Sequence, residues 1–514
     1  MGNLNVMLVL EGTYPFNAGG VSTWAHTICQ QMHGVDFTLC ALTANYCTQS
    51  KFQLPKSVKD LLQIPMWAPE EPAAYPTFDI PYNDILDQKS RTTRVVIQER
   101  FLPPFQSFLA HLYDEQDDIS AFHAVLYELW EYFRTYDYSV TLKSQIVWNA
   151  YVNFMDRYGA DGIIPVPVMM DLTIGMRWLF RLLLPLSIPM PKVDLVHLTM
   201  SGFALLPALA AKYAYGTPII LTEHGVFIRE RLLAINSSGY SFFLKDFLIR
   251  FSESIAKLAY FTSERIYSVN RFNQSWEKRY GAAPHKLECI YNGIDYHRFV
   301  PREKSVPLKH NPTVVALARI FELKDIITMI DTCAIVRTQI PNVQFFVYGD
   351  TESVPEYTAR CLQHIESLQL KENFFLMGAQ PNPHELFVNG DISILTSISE
   401  GFPYTVLESL SCGIPVVATD VGGTAEALDH GKSGFICKPK DAESLAHRCV
   451  QLLQNNELRA QMGEHARRRI IALFSEERFV AAYQKVYTEA CTDAKTDPVF
   501  IKKKIARDGR FQHI

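Results

Sequence analysis

The stretch Thr396-Ser-Ile-Ser-Glu-Gly-Phe-Pro-Tyr-Thr-Val-Leu-Glu-Ser-Leu-Ser-Cys-Gly-Ile-Pro-Val-Val-Ala-Thr-Asp-Val-Gly-Gly423 reads as a strand end, a tight turn, a helix, a second strand and a second turn. Ile392 to Leu395 just before it are mostly apolar, Gly401 breaks the chain, Pro403 suits a helix start, and Pro415 to Ala418 restart a buried strand. A strand that ends in a glycine turn and opens a helix aims free backbone N–H groups and a positive dipole end at one point. Such a point suits a phosphate. Glu400 precedes the turn and Glu408 follows on the helix, with seven residues between them. Two glutamates at that spacing are, taken alone, more often solvated helix-end charges than a site.

Upstream, Pro312-Thr-Val-Val-Ala-Leu-Ala-Arg319 reads as a strand and Lys324 follows five residues on, before a helix starting near Asp325. Two cations beyond a strand's carboxyl end suit a diphosphate leaving group, although without context they are more often loop charges. Further strand–helix units follow: Val343 to Tyr348, a helix to about Leu370, Phe374 to Gly378, and helices from Asp441 to about Cys491. The linker to the preceding half is expected over Val300 to Asn311, after Cys289-Ile-Tyr-Asn-Gly-Ile-Asp-Tyr-His-Arg-Phe299.

The first half opens with an apolar strand ending at Leu10-Glu-Gly-Thr-Tyr-Pro15. The loop Phe16-Asn-Ala-Gly-Gly-Val-Ser-Thr-Trp24 should start a helix running to about Met32, with Gly19 and Gly20 where ligands approach an open parallel sheet. A plain strand-to-helix turn fits that position equally well. Val35 to Ala41 reads as a strand. Residues from about 50 to 190 then leave the alternation, with Pro65, Pro69, Pro72, Pro76 and Pro81 followed by aromatic helical patterns from about Thr92 to Ala150. This is a helical insertion or subdomain whose aromatic stripe is read as core, with a surface for an acceptor chain or a partner protein as the alternative. The hydrophobic run Met176 to Ile188 is interrupted by Arg177 and Arg181, so it reads as a buried or interfacial helix. Alternation resumes with strands at Asp194 to Leu198 and Pro218 to Thr222, the latter ending in Glu223-His224-Gly225. Leu258 to Thr262 is expected to be another strand, with a helix over Arg265 to Phe272. A histidine at a strand's carboxyl end stands where this architecture puts chemistry, although alone it is more often a satisfied core histidine.

The sequence from Glu400-Gly-Phe-Pro403 through Gly423 resembles the Glu-x7-Glu signature of retaining glycosyltransferases of family 4, which have two Rossmann-like domains. Leu10 to Pro15, Gly19 to Trp24, Leu221 to Gly225 with Arg229-Glu-Arg231, and Thr396 to Gly401 are more specifically similar to the PelF-like transferases of Pel exopolysaccharide synthesis. The resemblance implies an α/β GT-B fold with a cleft and a UDP-sugar donor. It places Arg319 and Lys324 on the diphosphate, Gly401, Phe402, Pro403, Tyr404 and Thr405 at the donor, and Glu408 on the ribose. It puts Glu400, His224, Glu223, Gly19 and Gly20 about the sugar and acceptor, with His224, Glu400, Arg319 and Lys324 as catalytic candidates. The family's Lys-Gly is Lys324-Asp325 here, which removes a small residue beside the phosphate. Expected partners are a polysaccharide acceptor and inner-membrane synthase or export proteins.

A chain of 514 residues exceeds the reach of one core, so two domains are expected. We place them at 1–300, with the insertion, and 301–480. Residues 481–514 form a final helix and a basic tail able to dock on the first domain. A net charge of −5 carries no nucleic-acid footprint, and ten scattered cysteines without Cys-x-x-Cys suggest neither a disulfide framework nor zinc, which fits a reducing cytoplasm. The first residues lack a basic leader, and peripheral inner-membrane association follows only from the resemblance. No Asp-x-Asp, His-Glu-x-x-His, Gly-x-Ser-x-Gly or complete phosphate-loop motif occurs. A mechanism without metal or cofactor, with Arg319 and Lys324 in the ion's place, is the expectation. An epimerase or phosphorylase on the same fold, or a non-catalytic nucleotide-sugar sensor, are the rival readings.

Overall fold

The computed structural model describes residues 3–47, 49–68, 80–113, 118–162, 165–304, 311–380 and 382–496. The basic tail Phe500 to Ile514 and Pro69, Pro72 and Pro76 of the proline-rich stretch lie outside them. The chain divides into two units: the first runs to Ser268 and adds Gln274–Glu288 and the residues from Tyr483, and the second takes Val269–Asn273 and Cys289–Ala482.

The first unit is built on strand β1, Leu4–Glu11, whose residues Val6 to Leu10 are fully buried. An unbroken apolar run, without alternation, is what a parallel strand covered on both faces requires. β2 is Val35–Thr43, β3 Val58–Pro65, β4 Leu195–Leu198, β5 Ile219–Glu223, β6 Arg265–Ser268 and β7 Leu287–Cys289. They form one sheet in the order β3-β2-β1-β4-β5-β6-β7, parallel from β3 through β6. The order reverses at β1 and β4, which makes their carboxyl ends the expected ligand position.

Between β3 and β4 lies the helical region, with its longer helices at Leu102–Tyr113, Ile119–Phe133, Gln145–Ala160 and Met169–Leu182. Its aromatic stripe is core: Phe101, Phe105, Phe108, Phe122, Trp130 and Tyr151 belong to the same buried cluster as Met7 and Val9 of β1. The insertion therefore shares the sheet's core. Met176 to Ile188 is the end of one helix followed by a short 3-10 turn, Leu184–Ser187, and among the described residues no helix is long and apolar enough to cross a membrane.

Two sequence expectations are corrected. The departure from alternation begins after Pro65, because β3 pairs with β2 at the sheet edge. Its half-exposed face, with Lys59 and Asp60 outward, hides the strand pattern. Leu258 to Thr262 is no strand but the end of the helix Phe242–Thr262, and the strand is Arg265–Ser268. A short apolar run reads the same in both states, and here it is the mostly buried last turn of a long helix.

The second unit holds β8 Thr313–Leu317, β9 Gln344–Tyr348, β10 Phe374–Leu376, β11 Ile392–Leu395, β12 Val416–Thr419 and β13 Gly434–Cys437. They form an all-parallel sheet in the order β10-β9-β8-β11-β12-β13. Here the order reverses between β8 and β11. The stretches singled out in the sequence follow directly from these two strands.

Candidate active site

In the second unit, β8 runs out into a short 3-10 turn, Glu322–Lys324, and then into Asp325 at φ 46°, whose carboxylate caps the helix Ile326–Gln339 through the Thr328 N–H. This is how an aspartate replaces the expected glycine: Asp tolerates the left-handed region better than most side chains and supplies the helix cap as well. β11 runs out into Thr396 to Gly401. The two loops are stitched together, since the Thr396 hydroxyl donates to the carbonyls of Lys324 (2.9 Å) and Asp325 (3.0 Å), and the Ile398 N–H to that of Leu323 (2.9 Å).

That stitching brings Lys324 and Glu400 together across 76 residues of sequence. Lys324 Nζ donates to Glu400 Oε1 at 2.5 Å, and the Ser397 hydroxyl donates to the same oxygen at 2.6 Å. Both side chains of the pair keep some exposure, 21% and 10%, so a ligand has access to them. Arg319 is exposed, with its guanidinium carbon 5.0 Å from the Phe321 ring centroid. No hydrogen bond or ion pair holds its side chain among the described residues.

The turn after Glu400 is fixed by its neighbours. A Cβ on Gly422, at φ 53°, would stand 1.9 Å from the Glu400 carbonyl oxygen, so only glycine fits there. The Gly423 N–H and the Asn270 side-chain amide both donate to the Gly401 carbonyl, at 2.7 and 2.9 Å, and the Asn292 amide donates to that of Phe402 at 3.0 Å. The helix Tyr404–Ser411 starts after Pro403, which provides no side-chain cap. Phe402, Pro403 and Tyr404 are buried, and Thr405 is half-buried. Glu408, one turn along this helix, is half-buried, and the protein around it pushes its carboxyl up to about 7 against the opposing pull of Arg298.

In the first unit, Gly19 and Gly20 are exposed beyond β1, at the start of the helix Gly20–Gln31. Trp24 of that helix meets the His224 ring edge-on, with centroids 4.7 Å apart. His224 is 8% exposed, its Nε2 has no hydrogen-bond partner, and burial lowers its pKa to about 3. It is a neutral imidazole at physiological pH, suited to accepting or donating one hydrogen bond rather than to carrying charge. Its neighbour Glu223 is turned inward: Ser201 and the Phe227 N–H donate to one oxygen at 2.7 and 3.0 Å, and Tyr260 donates to the other at 2.6 Å. Glu223 is fully buried, with its carboxylate held inside this network.

Sequence reasoning left several groups unassigned. Glu11 closes β1 and accepts a hydrogen bond from the Ala204 N–H; burial raises its pKa, and Arg231 opposes that. Both stand in stretches quoted for the resemblance, Leu10 to Pro15 and Arg229 to Arg231, which was the available signal. Glu277 had no signal. It is fully buried, accepts from Ser268 at 2.7 Å, and both it and Glu223 have raised pKa values, chiefly because burial disfavours the charged form; the charge of Glu223 adds to the rise at Glu277, and that of Glu230 to the rise at Glu223. Asn270 and Asn292, which hold the glycine turn, were likewise missed. Among the described residues no group of three or more His, Cys, Asp or Glu side chains is arranged to hold a metal ion.

Two parallel α/β sheets, each with polar loops after the strands where its order reverses, define the class: the fold of the glycosyltransferases with paired Rossmann-like domains. The chain belongs to the family described as "Domain of unknown function (DUF3492)", whose model matches residues 4–285, and residues 300–469 match "Glycosyl transferases group 1". It is thus an enzyme of the glycosyltransferase class. The chain is 27% identical over 219 residues to N-acetyl-alpha-D-glucosaminyl L-malate synthase of Bacillus anthracis, a match covering 41% of this chain and 56% of that protein's length. It is 23% identical to UDP-Gal:alpha-D-GlcNAc-diphosphoundecaprenol alpha-1,3-galactosyltransferase of Escherichia coli, over 58% of this chain and 76% of that protein. The crystal structure of Anabaena Alr3699/HepE in complex with UDP superposes with a TM-score of 0.57 at 14% identity, covering 94% of this chain and 99% of that one. That likeness shows the fold.

Proposed function

We propose that this chain is a retaining, metal-independent transferase that moves a hexose or N-acetylhexosamine from a UDP-sugar to a growing polysaccharide of the Pel type. The observation that carries the reading is the Lys324–Glu400 pair at the carboxyl ends of β8 and β11, with exposed Arg319 before it and Glu408 behind it. Donor binding would exchange partners. Lys324 leaves Glu400 for the diphosphate, and Glu400 becomes free to accept from sugar hydroxyls. Arg319, Lys324 and the first N–H groups of the helix Tyr404–Ser411 then stabilise the charge that develops on the departing diphosphate, typically the largest contribution such a site makes. Glu408 accepts from the ribose hydroxyls, and neutral His224 and the Gly19-Gly20 loop position the acceptor. The similarity to a transferase named for UDP-Gal and to a fold solved with UDP supports uracil as the base. Cooperation with inner-membrane synthase or export proteins, at the cytoplasmic face, belongs to the same proposal.

The test is calorimetric titration with UDP, GDP and ADP in EDTA, on the wild type and on Arg319→Ala and Glu408→Ala. Selective binding of UDP that both substitutions weaken at least tenfold is the expected result. Equal binding of all three nucleotides, or binding indifferent to both substitutions, overturns the donor assignment.

A further inference from the structure

The helical region between β3 and β4 holds a cavity of about 620 Å³, and none of its lining residues belongs to the candidate active site. That volume lies in the range of small-molecule sites. Its walls come from the helices Tyr82–Arg91, Gln145–Ala160 and Met169–Leu182 and from the chain between Phe133 and Gln145. Part of the wall is apolar, with Ile80, Ile85, Leu142, Trp148, Met176 and Leu184.

Among the neutral polar and aromatic groups of the rest stand three cations, Lys143, Arg177 and Arg181. Two positive groups stand by the Phe180 ring: Lys143 Nζ is 5.2 Å from its centroid and Arg181 Cζ is 5.5 Å from it, and Arg181 also donates to the Ala68 carbonyl. Arg177 is one helical turn before Arg181 on the same cavity wall, exposed, and without a hydrogen bond or ion pair among the described residues. The lining contains one carboxylate, that of Asp137, which already accepts from the Val140 N–H at 2.6 Å to cap a helix. Lys143 and Arg181 beside the Phe180 ring, with Arg177 one turn away, gather like charges on one cavity lining, where they repel one another. An anion would relieve that repulsion. Arginine forks suit the planar oxygens of phosphate, and the ring and aliphatic wall suit an apolar body.

We propose that this cavity is a ligand site, separate from the site of sugar transfer, for a phosphate group carried on an apolar or aromatic body. Lys143, Arg177 and Arg181 hold the phosphate, and the Phe180 and Trp148 side receives the body. A nucleotide and a lipid phosphate share this chemistry, so the experiment separates them.

Full-length protein, with its donor site saturated by UDP, is titrated calorimetrically with GMP in one arm and farnesyl phosphate in the other. One probe should bind with a stoichiometry near one. The double variant Lys143→Glu, Arg177→Glu should weaken it at least tenfold, whereas Arg319→Ala should leave it unchanged. Both substituted side chains are exposed, so an unaltered thermal midpoint is expected to accompany the loss. Binding of GMP assigns a nucleotide, and binding of farnesyl phosphate a lipid. Failure of the wild type to bind either probe, or equal binding by the double variant, overturns the proposal. Neither result depends on whether UDP recognition itself is as proposed, because Arg319→Ala reads that site independently.

Discussion

Glu408 is the residue whose ionisation should report donor binding. Its carboxyl is pushed up to about 7, so near pH 6.5 a large share of the molecules carry it protonated. Ribose hydroxyls that donate to it favour the charged form and pull its pKa down, so binding must release a proton. Titration with UDP-glucose near pH 6.5 in buffers of different ionisation enthalpy should show that release, and Glu408→Gln should abolish it. An identical proton count in both proteins would remove Glu408 from the ribose. The Lys324–Glu400 pair makes a different prediction. Because the pair is mostly buried, Lys324→Ala or Glu400→Gln should cost about 1–3 kcal/mol of stability through the group left without its partner. The turnover number for sugar transfer should nevertheless fall roughly 100- to 1,000-fold, the usual cost of losing one stabilising group at a developing charge. Thermal midpoints and kcat measured on the same preparations decide it. The sequence pattern set Arg319, Lys324, Glu400 and Glu408 just beyond their strands, because glycines and prolines punctuate those strands, but only the family resemblance raised them above ordinary loop and helix-end charges. It could not show that Lys324 meets Glu400 or that Glu223 faces inward, since spacing along a chain says nothing of side-chain direction across 76 residues.

At the scale of elements, the inserted helices and the last helix are parts of the first unit's core. Phe108 is fully buried and packs against Phe122 and Phe251 with ring centroids 5.7 and 5.6 Å apart. Phe108→Ala should therefore cost about 3–5 kcal/mol in unfolding by denaturant, the range for a fully packed aromatic. A peripheral subdomain would lose less. From the helix Glu476–Thr496, Tyr487 reaches His197 Nδ1 at 2.8 Å while Thr222 bonds the other ring nitrogen at 2.8 Å. Tyr487→Phe leaves a buried ring nitrogen without its partner and should cost about 1–3 kcal/mol by the same measurement. These elements differ in how visible they were. The helices from Thr92 onward announced themselves by aromatic periodicity, as did the central strands by their unbroken apolar runs. Edge strand β3 has too little buried surface to leave a pattern, and near the end of the helix Phe242–Thr262 three successive residues, Leu258, Ala259 and Tyr260, are buried, which blurs the difference between a helix and a strand.

At the scale of the molecule, the buried titratable groups of the first unit pull stability in opposite directions. Burial lowers the pKa values of His197 and His224 to about 3, and each returns to roughly 6.5 when the chain unfolds. Below pH 6.5 the unfolded state thus binds more protons, so the stability present above that pH is lost progressively as the pH falls. Glu223 and Glu277 have raised pKa values and return to roughly 4.3 on unfolding. Above that pH it is the native state that binds more protons, and stability is lost as the pH rises through their folded values. Glu408 adds to the same limb up to about 7. Between about pH 4.3 and 6.5 the two slopes oppose each other, and beyond either limit only one remains. The thermal midpoint followed by calorimetry should therefore be broadest and highest in mildly acidic buffer and fall on both sides. Glu277→Gln, which keeps the acceptor for Ser268 but cannot ionise, should flatten the alkaline decline and leave the acid limb in place. A midpoint that climbs steadily from pH 6.5 to 8.5, or an alkaline limb unchanged in Glu277→Gln, would show that these carboxyls are not held protonated by the fold.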